Sequence, residues 1–563
     1  MAGTTVFTNA VVHSMVPGVG PHRSLAHAGG RIVAVGSERD VIAAAGAQAT
    51  LEDLGGRSVV PGFIDAHHHF LPAVIEGNAV EASVGAAGSI AGLKKLLQAH
   101  HRRRPEGEWL LAVGYDELAL RDRRHPVRGD LDDACPGRPV LLVHYSVHEA
   151  VASSRALQRA GIGRHTPDPP AGRIDRGRRG EPTGRLLEAA FSKVYQLAVA
   201  DLLARNPAAV TDRLFDYEQR LFRVGITRVG DPGVPPAHEA LYRQALERGS
   251  LRMPIVMLPS SAEGLLCPPH DRLDGPRTGE GPEHLRVGPF KLFFDGANRC
   301  AMRLSIAQAV GTGAWMLGRA LASRSLAAFR GAGDMRPRLG RDFTVRTGMP
   351  LLSLAEGRRL AEDACARGFS IAIHAIGNAA VDQAIDTLTQ VRARHPETPP
   401  PRIEHACFLT PEAARRAADA GIAVVSQPAF VALPTFRELP IPHGLRLLAH
   451  RTLLEAGVRV AGSSDAPVSD FDPLVAMRRA VDRRSIAGRP LQSDEAIHPA
   501  QALALYTREA AYVSGCLDQT GTLEPGKRAD LVVLSSDPLV ALEDTAVERT
   551  IVAGRVVYPL REG

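Results

Sequence analysis

His67 and His69 close a short apolar run that begins at Val59, with one residue between them. On an extended strand, side chains alternate between faces, so both imidazoles enter one space and His68 enters the other. Two neutral imidazoles in one space can share a metal ion. A histidine-rich turn would give the same three letters without chemistry, so the weight falls on residues further along the chain. His374 closes the run Ser370–His374, and His405 closes Arg402–His405. Asp465 comes after an apolar run and Gly462, just before Ala466 and Pro467. A single histidine at a strand end is more often structural. Four histidines and an aspartate, at the ends of separate β-like runs, point to one shared site.

Lys291 sits in an otherwise apolar run, Phe290–Phe294. A buried ammonium needs a partner or a changed charge. Asp295, on the same face of the strand, offers an ion pair. Carboxylation by carbon dioxide offers the other solution, an anionic carbamate able to bridge two metals.

These residues need a frame that brings distant strand ends together. β-like runs at Trp109–Tyr115, Val140–Tyr145, Ile226–Asp231, Met253–Pro259 and Phe290–Phe294 are followed by Ser370–His374, Arg402–His405, Ile422–Gln427 and Val458–Ser463. Helical stretches such as Ala355–Arg367 and Asn378–Ala393 lie between the later ones. Repeated β-then-α order predicts an α/β fold with a parallel sheet, and at this length a (β/α)8 TIM-like barrel. In such a barrel, functional side chains come from the C-terminal ends of strands, where the candidates fall. The runs outnumber eight, so some belong to insertions, expected near residues 75–205 and 297–350. The second is rich in Arg, Gly and Ala and shows no clear strand. Long excursions of this kind usually shape access to the catalytic face.

Both ends of the chain read as β-structure. Thr5–Val12 and Arg31–Val35 flank a hairpin signal at Gly29 and Gly30, and Arg549–Val552 and Arg555–Tyr558 turn at Gly554. Termini that lie close in space can complete one small β-sandwich. The expected division is 1–58 and 520–563 for the sandwich and 59–519 for the barrel.

Composition narrows the class. The 563 residues, 45% hydrophobic and 23% charged, suit a globular chain of more than one domain. The net charge of +6 is spread thinly, and arginine runs such as Arg102 to Arg104 lack interleaved aromatics, so no nucleic-acid partner is expected. Six scattered cysteines without a CxxC pair make neither a disulfide framework nor a thiolate zinc site. With no secretory signal and no membrane-length apolar run, a cytoplasmic protein acting on a small molecule is expected, with a homodimer as the default assembly.

Several motifs together resemble the amidohydrolase superfamily, in the branch that includes N-substituted formamide deformylases. They are Pro61 through His69; His148-Glu149-Ala150 through Ala156-Leu157, with Ala160-Gly161-Ile162; and Gly180-Glu181-Pro182-Thr183-Gly184. His374-Ala375-Ile376-Gly377, Glu404-His405 and Gly462 through Pro467 come next, and Gly521 through Leu531 resembles the return into the sandwich. The resemblance spans nearly the whole chain. It implies that His67 and His69 bind the more buried metal with Asp465 nearby, that His374 and His405 bind a second, and that carboxylated Lys291 bridges them. It also implies a substrate-contacting or oxyanion-stabilising role for His148. One departure is Asn378, where the family carries an acidic residue, and another is the length of the 297–350 region. For Glu188 the choice is between reaching the site and a helix-surface carboxylate, and the second is expected; Cys300 and Cys407 read as small core residues.

The chemistry so implied is hydrolysis of a C–N bond, an N-acyl or N-formyl amide, by water activated at one or two divalent ions, with zinc expected. Asp465 would take the water proton and deliver it to the departing nitrogen. The same machinery would serve a lactone, ester or phosphoester hydrolase or a deaminase. A catalytically silent metal-binding protein is the reading from a different class.

Overall fold

The computed structural model describes residues 3–76, 79–105, 107–170, 172–205, 207–260, 272–297, 299–323, 335–433, 441–485 and 488–559. The apolar run leading to His67 is two strands rather than one. Ser58–Pro61 runs antiparallel to Leu531–Leu534, in a sheet that also takes Val11–Val12, Val547–Val552 and Arg555–Tyr558. Strands from both ends of the chain therefore share one sheet. Phe63–Asp65 belongs elsewhere, pairing in parallel with Ile226–Val234. Gly62 makes the switch because a Cβ there would stand 2.3 Å from the Thr227 hydroxyl.

Ile226–Val234 continues in parallel to Ile255–Pro259 and Leu285–Val287, giving four strands. A second parallel sheet has five strands, in the order Phe290–Phe293, Ile371–Ala375, Arg402–His405, Ala423–Ser426 and Val460–Gly462. Ile371–Ala375, Arg402–His405 and Ala423–Ser426 are buried at every residue, as parallel strands covered on both faces must be. Just beyond Phe63–Asp65, Ala66 donates its N–H to Gly462 O at 3.4 Å, linking the first sheet to the last strand of the second. Helices Leu354–Ala366 and Asn378–Arg394 flank Ile371–Ala375 on either side in sequence. The first begins at a reciprocal cap between Ser353 and Glu356, which satisfies its free amide ends.

The 75–205 segment folds as a six-stranded sheet, ordered Gly172–Arg176, Pro182–Glu188, Glu149–Ala152, Val140–His144, Leu110–Tyr115 and Val80–Glu81. It has its own apolar core around Leu93, Leu97, Leu110 and Leu142. In the 297–350 region the expectation of no strand is overturned. Met302–Ser305, Thr344–Thr347 and Arg338–Leu339 form an antiparallel sheet, with helix Ile306–Ser323 between the first two. Met302–Ser305 alternates buried and exposed, so it carries no apolar run for sequence reading to find.

At the N-terminus the turn at Gly29 and Gly30, both with positive φ, joins Ser24–Ala28 to Arg31–Gly36. The expected partner, Thr5–Val12, is instead split, with Thr5–Thr8 and Val11–Val12 in different sheets. No helix among the described residues is long and apolar enough to cross a membrane.

Candidate active site

The strand Phe63–Asp65 ends before the histidines, so His67 and His69 are placed by a turn and not by the strand expected from the sequence. Three hydrogen bonds hold that turn. Asp465 N–H donates to His67 O (2.8 Å), His68 N–H to Gly230 O (2.7 Å) and His69 N–H to Ala466 O (3.0 Å). The His67 and His69 rings share a space, their centroids 5.3 Å apart. His68 turns away to Asp65 and Tyr217, 2.9 Å from each.

Asp465 Oδ1 lies 3.2 Å from His67 Nε2 and 3.4 Å from His69 Nε2, and the donor atoms of the three residues fall within 4.8 Å of one another. His405 lies beyond His67, tilted at 4.9 Å between centroids, and His374 beyond His405, edge-to-face at 4.5 Å. The far nitrogens are anchored. His67 Nδ1 meets Glu404 Oε2 at 2.6 Å and His405 Nδ1 meets Gln427 Oε1 at 2.9 Å, contacts that fix ring orientation. His374 Nε2 is buried with no hydrogen-bond partner.

The backbone is bent to achieve this. His405 (φ 75°) and Asp465 (φ 56°) are both left-handed, a conformation that costs a non-glycine residue about 1–3 kcal/mol. At His405 the bend has a visible result. Glu404 and His405, which a straight strand would point apart, both reach His67.

Lys291 is buried and its Nζ has no hydrogen-bond partner. The ion pair that Asp295 could offer is not formed. Asp295 instead accepts the backbone N–H groups of Ile376 (3.0 Å), Gly377 (2.9 Å) and Ala301 (2.8 Å), fixing the loop after His374. Its carboxyl is pushed up to about 7 by burial, against those bonds. Asn378, the first residue of the helix that follows, clasps the Arg303 backbone through both its amide oxygen and nitrogen. Lys291 Nζ lies 5.0 Å from the centre of the Phe293 ring, which in turn contacts His374. Burial drives its ammonium down to about 8, although Glu404 and Asp465 pull the other way.

His148 joins this group from the inserted sheet, 5.6 Å from His374 between ring centroids. Its Nδ1 is 2.7 Å from Glu188 Oε2. Glu188 is not on a helix surface as expected. It ends the strand Pro182–Glu188 fully buried and in a left-handed conformation. Burial pulls the His148 imidazole down, but the Glu188 charge and hydrogen bond outweigh it and the net shift is upward.

Burial keeps the other rings neutral. His69 and His374 are lowered by it, and His405 falls to about 3. His67 differs: burial and Lys291 act downward, yet Glu404 and Asp465 raise it overall. Asp465 stays ionised. Burial opposes its charge, but His67, His69 and His405 hold it well below the usual carboxylate range.

Glu404, Gln427, Asp295 and Glu188 thus support the candidates, although sequence reasoning gives none of them that role. For Glu404 one signal is present. Arg402 and Glu404 are charged residues in a fully buried strand, which requires them to pair, and they do at 2.6 Å. Gln427 and Asp295 carry no such signal. Cys300 and Cys407 lie in an apolar cluster with Phe408 and Phe430.

Parallel sheets with ionisable side chains gathered where strands end describe an α/β enzyme. The chain belongs to the amidohydrolase family, whose profile matches residues 50–558. It is 32% identical over 541 residues to the N-substituted formamide deformylase of Arthrobacter pascens, covering 94% of each chain. It is 27% identical to the putative amidohydrolase YtcJ of Bacillus subtilis (strain 168), covering 90% of each. An uncharacterized metal-dependent hydrolase from Pyrococcus horikoshii OT3 has the same fold, with a TM-score of 0.69 at 21% identity, covering 96% of this chain and 99% of that one. The architecture is TIM-barrel-like, and the protein is a hydrolase acting on C–N bonds.

Proposed function

We propose that the protein hydrolyses an N-acyl or N-formyl amide at a divalent metal centre, zinc by expectation, held by His67, His69, Lys291, His374, His405 and Asp465. The observation that carries the proposal is the donor set itself. Imidazoles kept neutral by burial and an ionised aspartate surround one space, and within it Lys291 Nζ and His374 Nε2 are buried without hydrogen-bond partners, His374 Nε2 lying 3.7 Å from Asp295 Oδ1. These residues fit a bound cation. An ammonium among them would repel it, so the proposal includes carboxylation of Lys291, for which a pKa lowered to about 8 raises the share of neutral amine, the form whose nitrogen attacks carbon dioxide and then loses a proton.

A metal in this position supplies Lewis acidity, polarising a carbonyl and bringing water into ionisation range near neutrality. The protein's own residues do the rest. Glu404 and Gln427 orient the His67 and His405 rings. Asp465, ionised and facing two imidazoles, takes the proton from water and returns it to the departing nitrogen. His148, its pKa raised overall by Glu188 against burial, donates a hydrogen bond to the carbonyl oxygen as negative charge grows there. The 32% identity to a formamide deformylase favours an N-substituted formamide among the amides.

The finer architecture belongs to the same reading. In it the two parallel sheets close as a (β/α)8 barrel over residues 59–519, a closure supported by the Ala66 N–H to Gly462 O bond between them. Residues 1–58 and 520–563 pack as a β-sandwich around Phe7, Leu25, Val59 and Leu531, with Pro61 the last residue of the terminal sheet. Among the described residues five buried free cysteines suit a reducing cytoplasm, and a homodimer is the default assembly.

Elemental analysis of the purified chain, with hydrolysis of a panel of formamides, acyl amides, lactones and esters by wild type and Asp465→Asn, tests the proposal. It expects one or two zinc ions per chain and amide turnover that the variant loses. A reconstituted chain that holds no metal, or a metal-replete chain inert on every amide, would overturn it.

A further inference from the structure

The inserted sheet contains a second group of donors that the proposed reaction does not use. We propose that Asp116, Glu117 and His144 form a divalent-cation site of the zinc class, separate from the strand-end cluster. Asp116 and Glu117 come directly after the strand Leu110–Tyr115, and His144 closes its parallel neighbour, opposite Tyr115. One donor atom from each of the three lies within 4.8 Å of the others.

Charge makes the first argument. Glu117 reaches His144 Nε2 at 3.0 Å and His125 Nε2 at 3.5 Å, while the nearby guanidiniums of Arg185 and Arg299 engage Glu149 at 2.7 and 3.6 Å. Among the described residues neither Asp116 nor Glu117 pairs with a lysine or arginine. Two carboxylates are balanced by imidazoles alone.

The second argument is independent of charge. Asp116 is 5% exposed. Its Oδ1 accepts the N–H groups of Leu118 (2.8 Å) and Ala119 (3.3 Å), but its Oδ2 is buried with no hydrogen-bond partner. A carboxylate oxygen left bare in the interior is costly, and a cation satisfies it. One imidazole with two carboxylates is a donor set suited to zinc. Glu117, partly exposed beside His125, gives the ion a way in. Binding displaces the proton that His144 and Glu117 share.

The position gives the ion a task. His144 Nδ1 lies 2.8 Å from Ser146 Oγ, which accepts the N–H of His148 at 3.4 Å. An ion on His144 braces the turn that carries His148 toward His374.

The test uses the full chain, stripped of metal, reloaded with zinc and dialysed, with zinc per chain read by elemental analysis and folding by circular dichroism. Glu117→Gln and Asp116→Asn are each expected to hold about one zinc fewer than wild type while remaining folded. Equal zinc in wild type and folded Glu117→Gln overturns the proposal. Glu117 is the more exposed of the two, so that variant decides the matter if Asp116→Asn does not fold. A variant carrying both His67→Asn and His69→Asn reports on the strand-end cluster separately. The difference made by Glu117→Gln persists in that background, even if the strand-end cluster itself binds nothing.

Discussion

The strand-end cluster and the inserted-sheet cluster use the same donors, imidazole and carboxylate, but differ in what stands behind them. At the strand ends two rings are anchored through their far nitrogens, His67 by Glu404 and His405 by Gln427, and Glu404 is itself held by buried Arg402. In the inserted sheet His144 is braced by a serine hydroxyl, and Glu117 is partly open to solvent. On the reading proposed above, depth of support is what would separate a centre organised for chemistry from one that holds a turn in shape.

The sharpest way to break this comparison is Asp465→Asn. Asn keeps the shape but cannot move a proton at neutral pH, so kcat on the best amide should fall about 10²–10⁴-fold. A variant that turns over at the wild-type rate would leave the strand-end cluster no better than structural.

Next in size is Glu404→Gln. If backing distinguishes the two clusters, losing the carboxylate behind His67 should weaken metal affinity about 10–100-fold, read by competition with a chelator. Unchanged affinity would mean that the support seen around His67 serves the fold alone.

Sequence legibility divides along the same line. His374 and His405 are readable because they lie at the ends of buried parallel strands, whose near-continuous apolar runs make an ending visible. His67 and His69 are found by the right spacing for an incomplete reason, since the strand stops at Asp65 and a hydrogen-bonded turn carries the rings. Glu188 misleads because the helix begins at Ala189, one residue later, and nothing in the sequence marks that boundary. The partner of His148 is 40 residues away, and only the antiparallel pairing of Glu149–Ala152 with Pro182–Glu188 brings them together. Asp116, Glu117 and His144 are invisible in the sequence for a related reason. They lie at the ends of two β-like runs that the sequence does show, but nothing in it says that those runs pair side by side, and their meeting depends on the register of the two parallel strands.

Glu188→Gln sharpens the comparison where the two regions touch, because His148 belongs to the inserted sheet yet faces His374. Glu188 raises the His148 pKa against burial, so the protonated ring survives to higher pH. Activity that needs it should fall as pH rises through that raised value. In Glu188→Gln the falling limb should move to lower pH, with kcat at neutral pH down about tenfold, the worth of one charge-assisted hydrogen bond. The linkage has the same sign for stability. The pair stabilises the fold most below the ordinary histidine pKa, and that contribution is lost as pH rises through the folded value. An unmoved pH profile would make Glu188 a packing residue.

The smallest effect is expected at Cys407, two residues from His405 in sequence but in a different environment. Its thiol is fully buried among Cys300, Phe408, Phe430 and Leu447. Burial, with the neighbouring acidic groups adding to it, pushes that thiol well above its ordinary pKa, away from the thiolate that any nucleophilic role requires. Cys407→Ala removes one buried sulfur and should cost about 1 kcal/mol of stability in a denaturant melt. It should leave kcat within about twofold of wild type, because a volume change on the apolar side of the strand end does not reach the imidazoles. A large loss of activity with stability intact would put the sulfur into the chemistry. The boundary between the organised centre and its apolar surroundings would then have to be drawn on the far side of Cys407.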